Sequence, residues 1–93
     1  MTKIVLNYCY GGYSLSEEAM ALLNVDDIFA YEEDRTNPRL VEVVETLGEK
    51  ANGNCAALVV RTIPDEATDY LITEYDGSET LYVVVDGKIR VCY

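Results

Sequence analysis

Lys3–Ala21, KIVLNYCYGGYSLSEEAMA, is the stretch whose reading decides the fold. In an extended chain Ile4, Leu6 and Tyr8 lie on one face and Val5 and Cys9 on the other. A run apolar on both faces suits a strand covered on both sides. Gly11 and Gly12 follow at once, and glycine reaches φ > 0 and lets the backbone approach a neighbour or a ligand closely. Ser14-Leu15-Ser16-Glu17-Glu18 then opens a helix. Ser16 suits the N-cap, with Leu15 and Met20 spaced as a hydrophobic staple, while Ser14 with Glu17 offers a capping box instead. Strand, double glycine and serine-capped helix start leave N–H groups pointing outward at a positive helix end, an arrangement that holds anions. The same glycines and cap also serve a plain strand-to-helix turn, with Glu17 and Glu18 satisfying the helix end. The loop has no lysine, so it is not a P-loop, and its glycine spacing is not GxGxxG.

Outward from that stretch, the first helix is expected over Glu17 to Leu23, ended by Asn24. Asp27 to Glu32 alternates aromatic and aliphatic residues and reads as a short strand, a pattern that also suits an extended loop. Asn37-Pro38 is a helix start, with Asn37 as N-cap and Pro38 at the first helical position. Leu40, Val44, Leu47 and Ala51 recur at helical spacing behind it, widened by Val41 and Val43, with Asn52-Gly53 as the stop. Ala56 to Ile63 reads as a strand closed by Pro64; strand, second helix, strand makes a right-handed crossover if the two strands are parallel. Tyr70 to Tyr75, Thr80 to Val85 and Lys88 to Cys92 are three further strands. Asp76-Gly77 and Asp86-Gly87 between them are two-residue hairpin turns. The expected fold is a single α+β domain over residues 1–93, order β-α-β-α-β-β-β-β, with a small mixed sheet, two helices and a C-terminal antiparallel meander. The Val83-Val84-Val85 run indicates burial on both sides of its strand, by helix or by a partner subunit. An exposed hairpin edge points the same way, to a homodimer or higher homo-oligomer.

Composition narrows the function classes. The chain has 93 residues, 49% of them hydrophobic, and a net charge of −10. One domain with a modest core follows, and disorder does not. The charge argues against direct binding of nucleic acid and against anionic membranes. It leaves a solubilised surface, or an acidic face offered to a basic partner. No apolar run is long enough to span a membrane, and no signal-peptide pattern precedes the first strand. Cys9, Cys55 and Cys92 are an odd, widely spaced set, which fits a reducing cytoplasm and no zinc cluster. Histidine is absent, which removes the commonest general base and metal ligand.

Eight tyrosines stand against one phenylalanine and no tryptophan. Tyr10 and Tyr13 flank the glycines, where flat rings suit stacking on a ligand or partner; on strands tyrosine is also an ordinary half-buried residue. Arg35 and Arg39 lie at the start of the second helix, against its dipole, where they contact a ligand or pair with a carboxylate such as Asp34 or Glu42. The expected ligand-binding set is Asn7, Tyr10, Gly11, Gly12, Tyr13, Ser14, Ser16 and Arg35, with no cofactor, metal or catalytic residue.

The segments NYCYGGYSLSEEA, RTNPRLVEVVETLGEKANG and IPDEATDYLITEYDGSE resemble a family of small, mostly uncharacterised proteins of tailed bacteriophages. The C-Y-G-G-[aromatic]-x-L-S segment is the most recognisable part. The resemblance implies an accessory phage product in the bacterial cytoplasm, of the kind that binds and disables a host component, immune signalling included. It carries over no residue roles beyond the motif. The leading expectation is a non-enzymatic protein that holds a small anionic or nucleotide-like ligand at the glycine loop, a sponge in counter-defence. The alternative is an acidic inhibitor or DNA mimic acting on a host protein. An enzyme with Cys9 as nucleophile is the third.

Overall fold

The structure, a computed structural model, describes residues 2–92. The fold is α+β, with two helices and two antiparallel sheets. Strand β1 (Thr2–Asn7) pairs antiparallel with β2 (Leu58–Ile63), Val5 lying opposite Val60. Between them come α1 (Glu17–Leu23), α2 (Pro38–Leu47) and a 3-10 turn over Gly48–Ala51. The chain ends in a meander of β3 (Asp69–Tyr75), β4 (Ser78–Val85) and β5 (Lys88–Val91).

β1 is the middle of three layers. On one side Val5 joins a core with Leu15, Ala19, Leu23, Leu40 and Val44 from the helical segment. On the other, Ile4 and Leu6 pack with Leu81, Val83 and Val85 of β4. This is the arrangement that a strand apolar on both faces requires. Burial of β1 is complete from Ile4 to Leu6, all at 0% exposure.

The helix starts follow the sequence closely. Ser16 Oγ accepts the N–H of Ala19, and Asn37 Oδ1 accepts that of Arg39, with Pro38 first in α2. Ser16 is therefore the cap, and Ser14 bonds elsewhere. Both Asp-Gly pairs have φ > 0 at both residues, 51° and 94° at Asp76-Gly77 and 53° and 75° at Asp86-Gly87. Those are type I′ hairpins, whose twist matches the flanking strands.

Three expectations change. Asp27 to Glu32 is a string of turns, not a strand. Asp27 Oδ1 accepts the N–H of Phe29, and Ala30, Glu32 and Asp34 each donate to the carbonyl three residues back. Local hydrogen bonds of this kind compete with strand pairing, and aspartate favours them. The second helix stops at Leu47, because Gly48 turns to φ 58° there; the apolar repeat out to Ala51 continues in a 3-10 turn. Finally, β1 and β2 are antiparallel and the meander forms its own sheet, so no parallel crossover or continuous mixed sheet is built. Two helices packed on each other fill the connection, and they return the chain in the opposite direction.

Candidate functional site

Among the described residues strand β1 has one partner strand, β2, and its other edge is closed by side chains. Arg35 and Glu79 do this. The carbonyl of Arg35 accepts the N–H of Val5 (3.0 Å), its Nη1 donates to the Val5 carbonyl (3.2 Å), and Glu79 Oε1 accepts the N–H of Asn7 (2.6 Å). The two side chains pair bidentately, Nη1 to Oε1 and Nη2 to Oε2, both 2.6 Å, and both are buried. Arg35 Nε donates to the Glu32 carbonyl, and the guanidinium lies 4.2 Å above the Tyr13 ring. Arg35 is thus held inside the protein, and its partner is Glu79 rather than Asp34 or Glu42. Glu79 was missed by sequence reading. The signal was there: it sits in register with Leu81, Val83 and Val85 on the inward face of β4. A lone carboxylate in an apolar alternation needs a cation.

Asn7, at 0% exposure, is the second closure. Its Nδ2 donates to the carbonyls of Cys9 (2.9 Å) and Gly77 (2.7 Å), and its Oδ1 accepts the N–H of Ala57 (2.8 Å). One amide therefore ties the end of β1, the β3–β4 turn and the entry to β2. The glycine loop packs on the same turn, Gly11 donating to the Asp76 carbonyl at 2.8 Å. Gly11 has φ 117°, and a Cβ there would lie 2.5 Å from that of Cys55; Gly12 faces open space.

The expected ligand set therefore divides. Gly11, Tyr13, Ser14 and Ser16 come together in the lining of an open cleft of about 600 Å³, between the loop, α1 and residues 52–54. Asn7, Gly12 and Arg35 do not line it, and Tyr10 projects away at 67% exposure. Ile28 and Phe29 from the turn segment supply an apolar wall, and Glu17 and Glu18 are the only charged residues of the lining.

Three of the loop N–H groups, those of Gly11, Leu15 and Ser16, are taken by carbonyls of the protein itself. Leu15 donates to Ile28, Ser16 to Ala51 and Gly53 to Ser14. Ser14 Oγ donates to Asn54 and Ser16 Oγ to Lys50. The charged side chains of the lining are two carboxylates, with no lysine or arginine among them. A cationic group is favoured there, and a phosphate or carboxylate is opposed.

Tyr13 forms the cleft floor as well as the bed of Arg35. Its hydroxyl donates to the Ala30 carbonyl at 2.6 Å. Burial raises its pKa above the ordinary phenol value of 10.0, with the Arg35 guanidinium pulling the other way. The phenol is neutral when protonated, and its folded pKa exceeds the unfolded one. Its contribution is therefore complete below about pH 10 and drains away as pH rises above that. Tyr13→Phe should cost about 1 kcal/mol at neutral pH. It should also flatten the fall in stability above about pH 10, read from urea midpoints across an alkaline series.

No family model, curated protein or solved structure matches the chain. Among the described residues no helix is long and apolar enough to cross a membrane.

Proposed function

We propose that this is a non-enzymatic binding protein whose cleft, between the glycine loop and Phe29, receives a basic or neutral polar group. The observation that carries this reading is the lining itself. Glu17 and Glu18 share that lining with the half-exposed Phe29 (52%) and with Asn52, Gly53 and Asn54. Carboxylate and aromatic face together are the pair that recognises an ammonium or guanidinium. The volume is ample for an amino-acid side chain or a small amine, and it is the charge of the lining rather than its size that opposes a nucleotide's phosphates. Ligand binding at the loop is retained from the sequence reading, and the charge of the ligand is reversed. A basic group on a host protein is one such ligand. That is in keeping with the acidic surface and with the resemblance to accessory phage proteins that act on host components.

The test is calorimetric titration with N-acetyl-arginine amide and spermidine, set against inorganic phosphate and AMP. The two cations should bind and the two anions should not. Glu17→Gln with Glu18→Gln should weaken the cations about tenfold or more, since charge-assisted contacts contribute about 1.5–3 kcal/mol. Neutralising Glu32 and Glu33, which do not line the cleft, should change little. Equal loss in both pairs would reduce the effect to general attraction by an acidic chain and overturn the site.

A further inference from the structure

The meander carries two different faces. On β4, Glu79, Leu81, Val83 and Val85 point inward and are buried, while the alternate residues are only partly covered. The register puts Leu71 of β3 and Val91 of β5 on either side of Tyr82, and Ile89 beside Val84. Leu71, Ile89 and Val91 are 56%, 69% and 65% exposed. An antiparallel sheet with one wet face normally shows polar residues there. Of the alternate positions 69–75, 78–84 and 89–91 that make up this face, only Asp69 is charged, in a chain of net charge −10.

We propose that this face is the interface of a homodimer, packed sheet on sheet across a two-fold axis running along β4. The row Leu71–Tyr82–Val91 is what makes the face self-complementary. Rotation about β4 exchanges the two outer strands, so Leu71 meets the partner subunit's Val91 and Tyr82 lies at the axis. Charge argues for a second copy over a basic partner. A basic partner would be drawn to carboxylates, and this face offers one; a like-charged copy can approach only where charge is missing.

Size sets the strength. β3, β4 and β5 have seven, eight and four residues, so at about 3.3 Å per residue, with strands about 4.8 Å apart, the face covers roughly 300 Å² of sheet. Two such faces bury on the order of 600 Å² of sheet in all, the size of a weak, transient interface, so a dimer that dissociates within the micromolar range is expected rather than an obligate one. The Val83-Val84-Val85 run is accounted for in the same way. Val83 and Val85 face the core, and Val84 is left half-covered for the partner.

Sedimentation equilibrium of the full chain across the micromolar range is the test. A monomer–dimer equilibrium is expected, and it should tighten with added salt, because screening relieves the repulsion between two acidic copies. Leu71→Lys and Val91→Lys, each at an exposed position, should each weaken dimerisation at least tenfold, with circular dichroism and melting temperature close to the parent's. The competing geometry pairs the β5 edges, and Ile89→Pro would break it: Cys92 donates to Leu81 of β4, so by alternation the Ile89 N–H faces the open edge, and proline cannot donate there. A chain that stays monomeric throughout the range overturns the proposal. So does a dimer lost in Ile89→Pro and kept in both lysine variants.

Discussion

Glu79→Gln is expected to destabilise the protein by about 3–5 kcal/mol, because it leaves the Arg35 guanidinium buried without its counter-charge. Domains of this size have a total stability of about 5–15 kcal/mol, so the variant should be partly unfolded at ambient temperature or melt far below the parent. The pair also holds the strand edge: Glu79 accepts the N–H of Asn7 and Arg35 caps the Val5 carbonyl, so a displaced Arg35 would loosen the most buried strand as well. Arg35→Met should be similarly severe, since it leaves a buried carboxylate. The double variant Arg35→Met/Glu79→Leu should recover part of the loss, because two apolar groups replace a pair that is costly to desolvate. The contrast within the same protein is Lys3 with Glu45, 2.9 Å apart and about half exposed on both sides. Lys3→Ala should cost less than about 1 kcal/mol. Urea midpoints for the four variants give the comparison, and a cost for Glu79→Gln as small as that for Lys3→Ala would contradict the role assigned to the pair.

Gly77→Ala should be the next most damaging single change. The residue has φ 94°, and an added Cβ would sit 2.1 Å from the Gly12 nitrogen and 2.6 Å from its Cα. Backbone is the obstacle, so no side chain can swing aside. Left-handed strain of about 1–2 kcal/mol and overpacking of about 1–3 kcal/mol combine to a loss of about 2–5 kcal/mol. Gly87 isolates the first part of that loss. It occupies the same place in the other Asp-Gly turn, at φ 75°, with nothing within 4 Å of an added Cβ. Gly87→Ala should therefore cost about 1–2 kcal/mol. The difference between the two melting temperatures measures how tightly the glycine loop is seated on the β3–β4 turn, and equal values would mean that it is not.

Local features of the fold were legible where the chemistry is local. Ser16 and Asn37 announce their caps, Asp76-Gly77 and Asp86-Gly87 their turns, and Ile4 to Cys9 its burial on two faces. What the sequence did not carry was partnership at long range. Nothing near Arg35 names Glu79, 44 residues away. The direction of β2 depends on how two helices pack, which their own periodicity leaves open. Asp27 to Glu32 misled because alternation is equally compatible with side-chain-capped turns. For the site, Gly11, Tyr13, Ser14 and Ser16 were read from a motif that does line a cleft. The chemistry expected of them rested on free N–H groups, and tertiary structure hands three of those, at Leu15, Ser16 and Gly11, to Ile28, Ala51 and Asp76. Arg35 and Asn7 looked functional because polar residues beside a glycine loop look functional. Their hydrogen bonds show instead how the loop and the strand edge are closed.

The central claim is that the working surface is the negative, aromatic-walled cleft beside the glycine loop. A map of backbone amide shifts during titration with N-acetyl-arginine amide tests this most directly, because it locates binding as well as detecting it. Saturable shifts at Ser14 to Glu18, Phe29 and Asn52 to Asn54 are the predicted result, with phosphate leaving the same peaks unmoved. Shifts confined to the other carboxylates of the surface, or phosphate moving the glycine-loop peaks, would contradict the account.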